Sequence, residues 1–286
     1  MLCQYSAPLH HIIIISKAGR DFNAVATFNE VSALSLHTLK ARLQGDINTQ
    51  IVDIAKAIDK VHRGGAQLHA IDPAHANEAK RAAIASAAGV YLDQWSTSGG
   101  AAMKALLQRE LRATLGYSVA LKPSRLKGAG LGLWVEGYAP TGSVIGLFSG
   151  LVYAPQYVRR PEYQAELFPD DNMQLIMRYD NYIIDGRKTQ GCNWHPLGVA
   201  SMANHPPEGR LPNVMQVAYD YPTEVGSTAA TTRTTYPAEL RPYVPNQYRA
   251  VPTFWGGKID STVMMESMVL VATTDLQDEE VFMNYR

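Results

Sequence analysis

The 286 residues are 46% hydrophobic and 18% charged, enough apolar side chain to bury a sizeable core and too little charge for a disordered chain. Its 26 basic and 26 acidic residues cancel, which argues against broad electrostatic attraction to nucleic acid or to an anionic membrane. Two cysteines, Cys3 and Cys192, make neither a disulfide framework nor a four-cysteine zinc site, so a reducing intracellular compartment is the simpler reading.

"HHIIIIS" at His10 to Ser16 holds four consecutive isoleucines, too short a run to cross a bilayer, and no Lys/Arg-rich start precedes it. Nucleus or cytoplasm is expected. A mitochondrial presequence stays open, because Lys17 and Arg20 come before the first acidic residue, Asp21. Leu36, Leu39, Leu43, Ile47, Ile51, Ile54, Ile58 and Val61 then recur every three or four positions, as the buried stripe of one long helix does. Lys60, His62 and Arg63 fall in its last turn, and Gly64-Gly65 are expected to stop it. A second helix is expected over "DPAHANEAKRAAIASAAGVYLDQW", with Asp72 as N-cap and Pro73 at the first helical position. Gly99-Gly100 separate it from a third, "AAMKALLQRELRATLG", ending at Gly116. Residues 1–116 thus read as a helical N-terminal region, a hairpin or small bundle. Its scattered histidines, His37, His62, His69 and His75, read as surface or packing residues.

From Tyr117 short β-rich runs replace helical periodicity: "YSVALKPS", "LGLWVEG", "SVIGLFSGLVY", "MQLIMRY", "NYIIDG", "NVMQVAYDY" and "MVLVATTDL". No regular alternation with long helices follows, which disfavours a doubly wound parallel sheet. The fold class expected is α+β, with a β-rich domain over residues 117–286. The Thr/Ala-rich stretch "GSTAATTRTTYPAELRPYVPNQYRAV" reads as an insertion or long loop at about 222–262.

Three segments are candidates for chemistry. "KGAGLGLWVEG" is glycine-rich, but Gly128, Gly130 and Gly132 alternate and the segment continues as a strand, so the G-x-G-x-x-G spacing fails. What such glycines permit is close backbone approach to a ligand, or a bulge. "ANHPPEGRLPNV" sets Asn204-His205 and Pro212-Asn213 around a proline-bounded loop. Cys192, His195 and His205 have no fourth ligand at a recognised spacing, and no metal is expected. "MVLVATTDLQDEEVFMNYR" gives an apolar strand, an acidic turn (Asp275, Asp278, Glu279, Glu280) and an aromatic end, Phe282 and Tyr285. The acidic turn is either a solvated loop or an attractor of a basic peptide.

Taken in order, "GAGLGLW", "NHPPEGRLPNV" and "DLQDEEVFMNYR" resemble the three motifs of the SET domain of protein-lysine methyltransferases, over roughly Val119 to Arg286. The long Asn204–Asn213 spacer, "ELRPYVPN" and the "EE-x-F-x-NY" ending look most like the branch called SET domain-containing protein 9. The helical first part then resembles a branch-specific extension.

The resemblance implies a SET fold of small sheets with a C-terminal pseudoknot, and S-adenosyl-L-methionine as cofactor. It implies cofactor contacts at Ala129, Gly130, Leu131, Gly132, Asn204, His205 and Tyr285, with Tyr285 also catalytic. A Cβ at Gly130 or Gly132 would block the cofactor. The partner implied is a protein or peptide with an accessible lysine, with no metal and no membrane, and direct nucleic-acid binding is not indicated. Three departures keep a catalytically inactive SET-like scaffold open as the alternative, with a non-lysine acceptor as a third reading. Pro206 replaces the usual Ser or Cys after Asn-His, and Gln216 stands where a channel tyrosine is common, with Tyr219 or Tyr221 as candidate replacements. No cysteine-rich zinc-binding tail follows Tyr285, so closure of the site is expected from the segment around Tyr236 to Trp255 or from a partner.

Overall fold

Ser35 opens the first helix as a capping hydroxyl does: its Oγ accepts from the Thr38 N–H at 3.1 Å. The computed structural model describes residues 34–70, 98–169, 172, 174–187, 195–223, 235–250 and 262–284. Within them, α1 spans Leu36–Ala70 and α2 spans Ser98–Leu115. The stripe on α1 is buried from Leu39 through Leu43, Ile47, Ile51 and Ile54 to Ile58, whereas Leu36 at the helix start is exposed.

Gly64-Gly65 do not stop α1, contrary to expectation. Each glycine disfavours a helix by roughly 1 kcal/mol but keeps its N–H, so the hydrogen-bond ladder can pass through. Gly99-Gly100 likewise fall inside the first turn of α2 instead of before it. α2 ends where expected: Gly116 has φ +88° and its N–H donates to the Arg112 carbonyl at 3.0 Å. The helix expected over 72–95 lies outside the described residues.

The β-rich half forms three small sheets. β1 (Tyr117–Pro123) pairs antiparallel with β2 (Leu131–Ala139), which also takes β10 (Leu276–Gln277). β9 (Val263–Ala272) is the centre of the second sheet, between β3 (Val144–Leu147) and β7 (Val214–Pro222). The third holds β5 (Leu175–Met177), β6 (Ile183–Asp185), β4 (Gly150–Tyr153) and β8 (Asn246–Tyr248) in that order. Two short helices, α3 (Pro155–Val158) and α4 (Pro161–Leu167), follow β4.

The run "SVIGLFSGLVY" divides into β3 and β4, because Gly150 takes φ +135° and a Cβ there would strike the Asp185 backbone. Part of the stretch read as an insertion belongs to the core. Tyr236 and Leu240 are buried, and β8 pairs parallel with β4. A parallel partner contributed from far along the chain leaves no local mark in the sequence.

α1 lies on the second sheet through polar side chains as well as its stripe. Gln44 Nε2 donates to the Ala218 carbonyl at 2.6 Å, and Gln44 Oε1 accepts from the Asp220 N–H at 3.0 Å. That one side chain therefore pairs with β7 as a neighbouring strand would. Gln50 does the same between Gly142 and Val144, and Tyr219 Oη donates to Asn48 Oδ1 at 2.6 Å. The buried residues of α1, α2 and the first two sheets belong to one hydrophobic cluster.

Candidate functional site

The β1–β2 connection is a tight loop closed by the Ser124 N–H on the Gly130 carbonyl at 2.8 Å and the Ala129 N–H on Leu126 at 3.2 Å. Gly128 and Gly130 hold φ +82° and +69°, a region that side chains other than glycine rarely enter. The two glycines singled out for close approach serve different ends. At Gly130 a Cβ would meet nothing within 4 Å, so the backbone conformation alone calls for glycine. At Gly132 a Cβ would collide with Glu280 Oε1 and come within 2.9 Å of Asn204 Nδ2. There glycine makes room for protein side chains. Ala129, Gly130 and Leu131 are exposed and Gly132 is buried.

Asn204 and His205 are half-buried, beyond the short 3-10 turn Ala200–Met202. Asn204 Nδ2 donates to the Leu131 carbonyl and to Glu280 Oε1, both at 3.2 Å. That amide therefore ties the glycine loop to the C-terminal segment.

The C-terminal segment joins the two. The Val281 N–H donates to the Leu133 carbonyl at 2.8 Å on one side, and the Met283 N–H to the Asn204 carbonyl at 2.9 Å on the other. Asn213 closes the crossing, with Nδ2 donating to the Glu280 carbonyl at 2.9 Å and Oδ1 accepting from the Phe282 N–H at 2.7 Å. Residues 280–283 thus thread between β2 and the 204–213 loop. Val281, Phe282 and Met283 are buried. Tyr285 lies outside the described residues, which end at Asn284.

The acidic turn is tied into the fold, although Asp275 and Asp278 stay exposed. Asp275 accepts from Tyr138 Oη and from the Thr141 N–H and hydroxyl, which hold its carboxyl below the usual range. Asp278 accepts from the Gly137 N–H, Glu279 pairs with Arg210 at 3.1 Å, and Glu280 is fully buried. Local sequence concealed this because each partner lies more than 60 positions away.

Gln216 and its candidate replacements stand on opposite faces of β7. Gln216 Nε2 lies 3.0 Å from Met283 Sδ, whereas Tyr219 bonds Asn48 and stacks edge-on to Tyr221, which in turn meets Tyr236. Residues of opposite parity on a strand cannot exchange places, so Tyr219 and Tyr221 do not stand in for a side chain at 216. In the segment assigned to site closure, residues 251–255 lie outside the described residues, and two side chains before them are engaged elsewhere. Tyr243 bonds Asp59 of α1, and Asn246 donates to the Phe148 carbonyl. Among the described residues no group of three or more His, Cys, Asp or Glu side chains is placed to hold a metal ion. Cys192 lies outside them. His195 is buried, its Nδ1 accepts from the Leu197 N–H at 3.1 Å, and burial pushes its pKa down to about 3. No helix among the described residues is long and apolar enough to cross a membrane.

Two residues of the site carry more than their sequence context indicated: Glu280, which reads as one of four acidic turn residues, and Asn213, which reads as the second half of the Pro212-Asn213 pair closing the loop. The signal available for Glu280 was its place directly before the apolar run Val281–Met283.

No protein-family model matches the chain. Similar proteins are SET domain-containing protein 9 of Homo sapiens, 28% identical over 205 residues, covering 61% of this chain and 60% of that protein. The same protein of Pongo abelii is 28% identical over 205 residues, covering 61% of this chain and 66% of that one. By sequence the chain is similar to SET domain-containing protein 9. It spans less than two thirds of the length of either relative. Among solved structures, Chaetomium thermophilum Polycomb Repressive Complex 2 bound to GSK126 overlaps in part, at 15% identity and TM-score 0.34, over 63% of this chain and 16% of that one. The β-rich half has the fold the resemblance implied, small sheets with the C-terminal segment threaded through a loop.

Proposed function

We propose that the protein is an S-adenosyl-L-methionine-dependent methyltransferase acting on a lysine side chain of a protein or peptide. The observation that carries this reading is the meeting of three segments remote in sequence: the loop 124–132, the Asn204-His205 step and residues 280–284 leading to Tyr285. The relationship to SET domain-containing protein 9 supports it. In this reading residues 117–286 carry the site, and the helices of the first 116 residues brace it from behind.

The residues fit the cofactor. Gly130 adjoins open space, and the exposed Ala129-Gly130-Leu131 backbone offers main-chain groups to a ligand lying along it. In this reading Asn204 and His205 form the adjoining wall and Tyr285 completes the set, while Gly132 serves it indirectly by making room for Glu280 and Asn204. Asn204 Nδ2 is engaged by the protein, so Asn204 would meet the ligand through its other polar groups. When bound, the cofactor supplies an electrophilic methyl group on a sulfonium. The acceptor amine must arrive neutral, and the apolar run 281–283 beside the site favours the neutral form by excluding water. The Tyr285 hydroxyl would orient the amine lone pair.

Calorimetry of the full chain with S-adenosyl-L-methionine tests the reading, followed by transfer of radiolabelled methyl to a lysine-containing peptide array. Saturable binding and labelled lysine are expected; no measurable cofactor affinity overturns it. The second reading, a SET-like scaffold without turnover, is favoured by the amide of Gln216 lying against Met283 where the family commonly has a tyrosine. Cofactor binding without methylated product across the array would decide for it.

A further inference from the structure

Glu280 is completely buried and its carboxylate is shared among separate parts of the chain. Oε1 accepts from Ser124 Oγ at 2.5 Å and from Asn204 Nδ2 at 3.2 Å. Oε2 accepts from the Arg125 N–H at 2.8 Å. The Glu280 carbonyl accepts from Asn213 Nδ2, and its backbone bridges to Trp134 of β2. A buried carboxylate is tolerated only when donors surround it, and these come from the foot of the glycine loop and from the Asn204 step. Gly132 has no Cβ because the carboxylate lies there.

The arrangement has a chemical consequence. Ser124 and Arg125 begin the loop whose far end is Ala129-Gly130, and Ser124 Oγ also accepts from the Leu126 N–H at 3.0 Å. The loop is therefore seated on Glu280 through its first two residues. We propose that Glu280 is a positioning residue: its carboxylate registers the 124–130 loop against Asn204, so that the cofactor pocket is complete only while the C-terminal segment is threaded. This deepens, and rests on, the reading of that pocket as the S-adenosyl-L-methionine site. Glutamine is the informative substitution, since it keeps size and shape but turns one acceptor oxygen into a donor facing donors.

Hydrogen exchange and calorimetry on the full chain test it, with wild type, Glu280→Gln, Ser124→Ala and Glu279→Gln side by side. In Glu280→Gln, amides 124–131 are expected to exchange at least tenfold faster while the β7–β9 ladder stays protected, and cofactor affinity is expected to fall at least tenfold. Ser124→Ala, which leaves the carboxylate in place, is expected to show the same local loosening to a smaller degree, and serves if Glu280→Gln does not fold. Glu279→Gln is expected to behave as wild type. Wild-type exchange at 124–131 in Glu280→Gln, exchange raised equally throughout the fold, or unchanged cofactor affinity overturns the proposal. Absence of cofactor binding by wild type overturns the functional reading instead, and the exchange data still decide whether Glu280 seats the loop.

Discussion

Asn213 and Phe282 hold each other twice: the Asn213 N–H donates to the Phe282 carbonyl at 3.1 Å, and the Phe282 N–H donates to Asn213 Oδ1 at 2.7 Å. With Asn213 Nδ2 on the Glu280 carbonyl, one buried side chain locks the crossing of the 204–213 loop and the C-terminal segment. Asn213→Ala would leave two buried backbone groups unpaired, at a cost of roughly 3 kcal/mol. The urea midpoint should drop accordingly. Asn213→Asp should also destabilise, because a carboxylate oxygen would face the Glu280 carbonyl. A midpoint like that of wild type for both variants would contradict this assignment.

The glycine loop yields a paired prediction. Gly130→Ala meets open space but must hold φ +69°, for which about 1 kcal/mol is expected. Gly132→Ala drives a methyl group into Glu280 and Asn204, an overpacking of roughly 1–3 kcal/mol, and should also loosen the loop. Thermal melts should rank Gly132→Ala as the less stable. The reverse order would mean that Glu280 can move aside.

If Tyr285 orients the acceptor amine, Tyr285→Phe should abolish methyl transfer and leave cofactor affinity within about twofold of wild type, since phenylalanine keeps the aromatic ring and loses only the hydroxyl. Radiolabel transfer and calorimetry on one preparation separate the two effects. Retained transfer would remove Tyr285 from the mechanism.

α1 should prove inseparable from the sheets. Gln44→Ala removes both of the bonds by which the side chain continues β7, at roughly 1–2 kcal/mol. Gln44→Glu should be no better, because its second oxygen would face the Ala218 carbonyl. Urea unfolding followed by circular dichroism reads both. If neither variant shifts the midpoint, the helix is not bound through this side chain.

His195 makes stability depend on pH. Burial lowers its folded-state pKa to about 3, below the ordinary imidazole value near 6.5. Between these values the unfolded chain binds a proton that the folded chain does not. The stability is therefore fully present above pH 6.5 and falls with pH towards 3, by roughly a factor of ten in the folding constant per pH unit. His195→Asn can keep an acceptor for the Leu197 N–H without the titration. Between pH 7 and pH 5 wild type should lose roughly 2 kcal/mol more than this variant. Equal losses would show that His195 does not titrate in this way.

Local pattern was a good guide where one element decides its own form. The α1 stripe, the glycine stop at Gly116 and the β1, β2 and β7 runs were legible because periodicity and turn chemistry act over a few residues. Misreadings arose where two forces competed locally, as at Gly64-Gly65, or where a partner was remote, as for β8 on β4.

The order of three motifs determined the kind of fold and drew attention to Gly130, Gly132, Asn204, His205 and Tyr285. Only the tertiary structure decided that Gly132 is small for the sake of Glu280, and that Gln216 and Tyr219 face opposite ways. It also decided that the acidic turn is anchored by bonds to residues remote in sequence. Hydrogen bonds between Glu280 and Ser124, or between Asn213 and Phe282, join residues 156 and 69 positions apart. No window along the chain contains both partners, so these roles exist only once the C-terminal segment has passed through its loop.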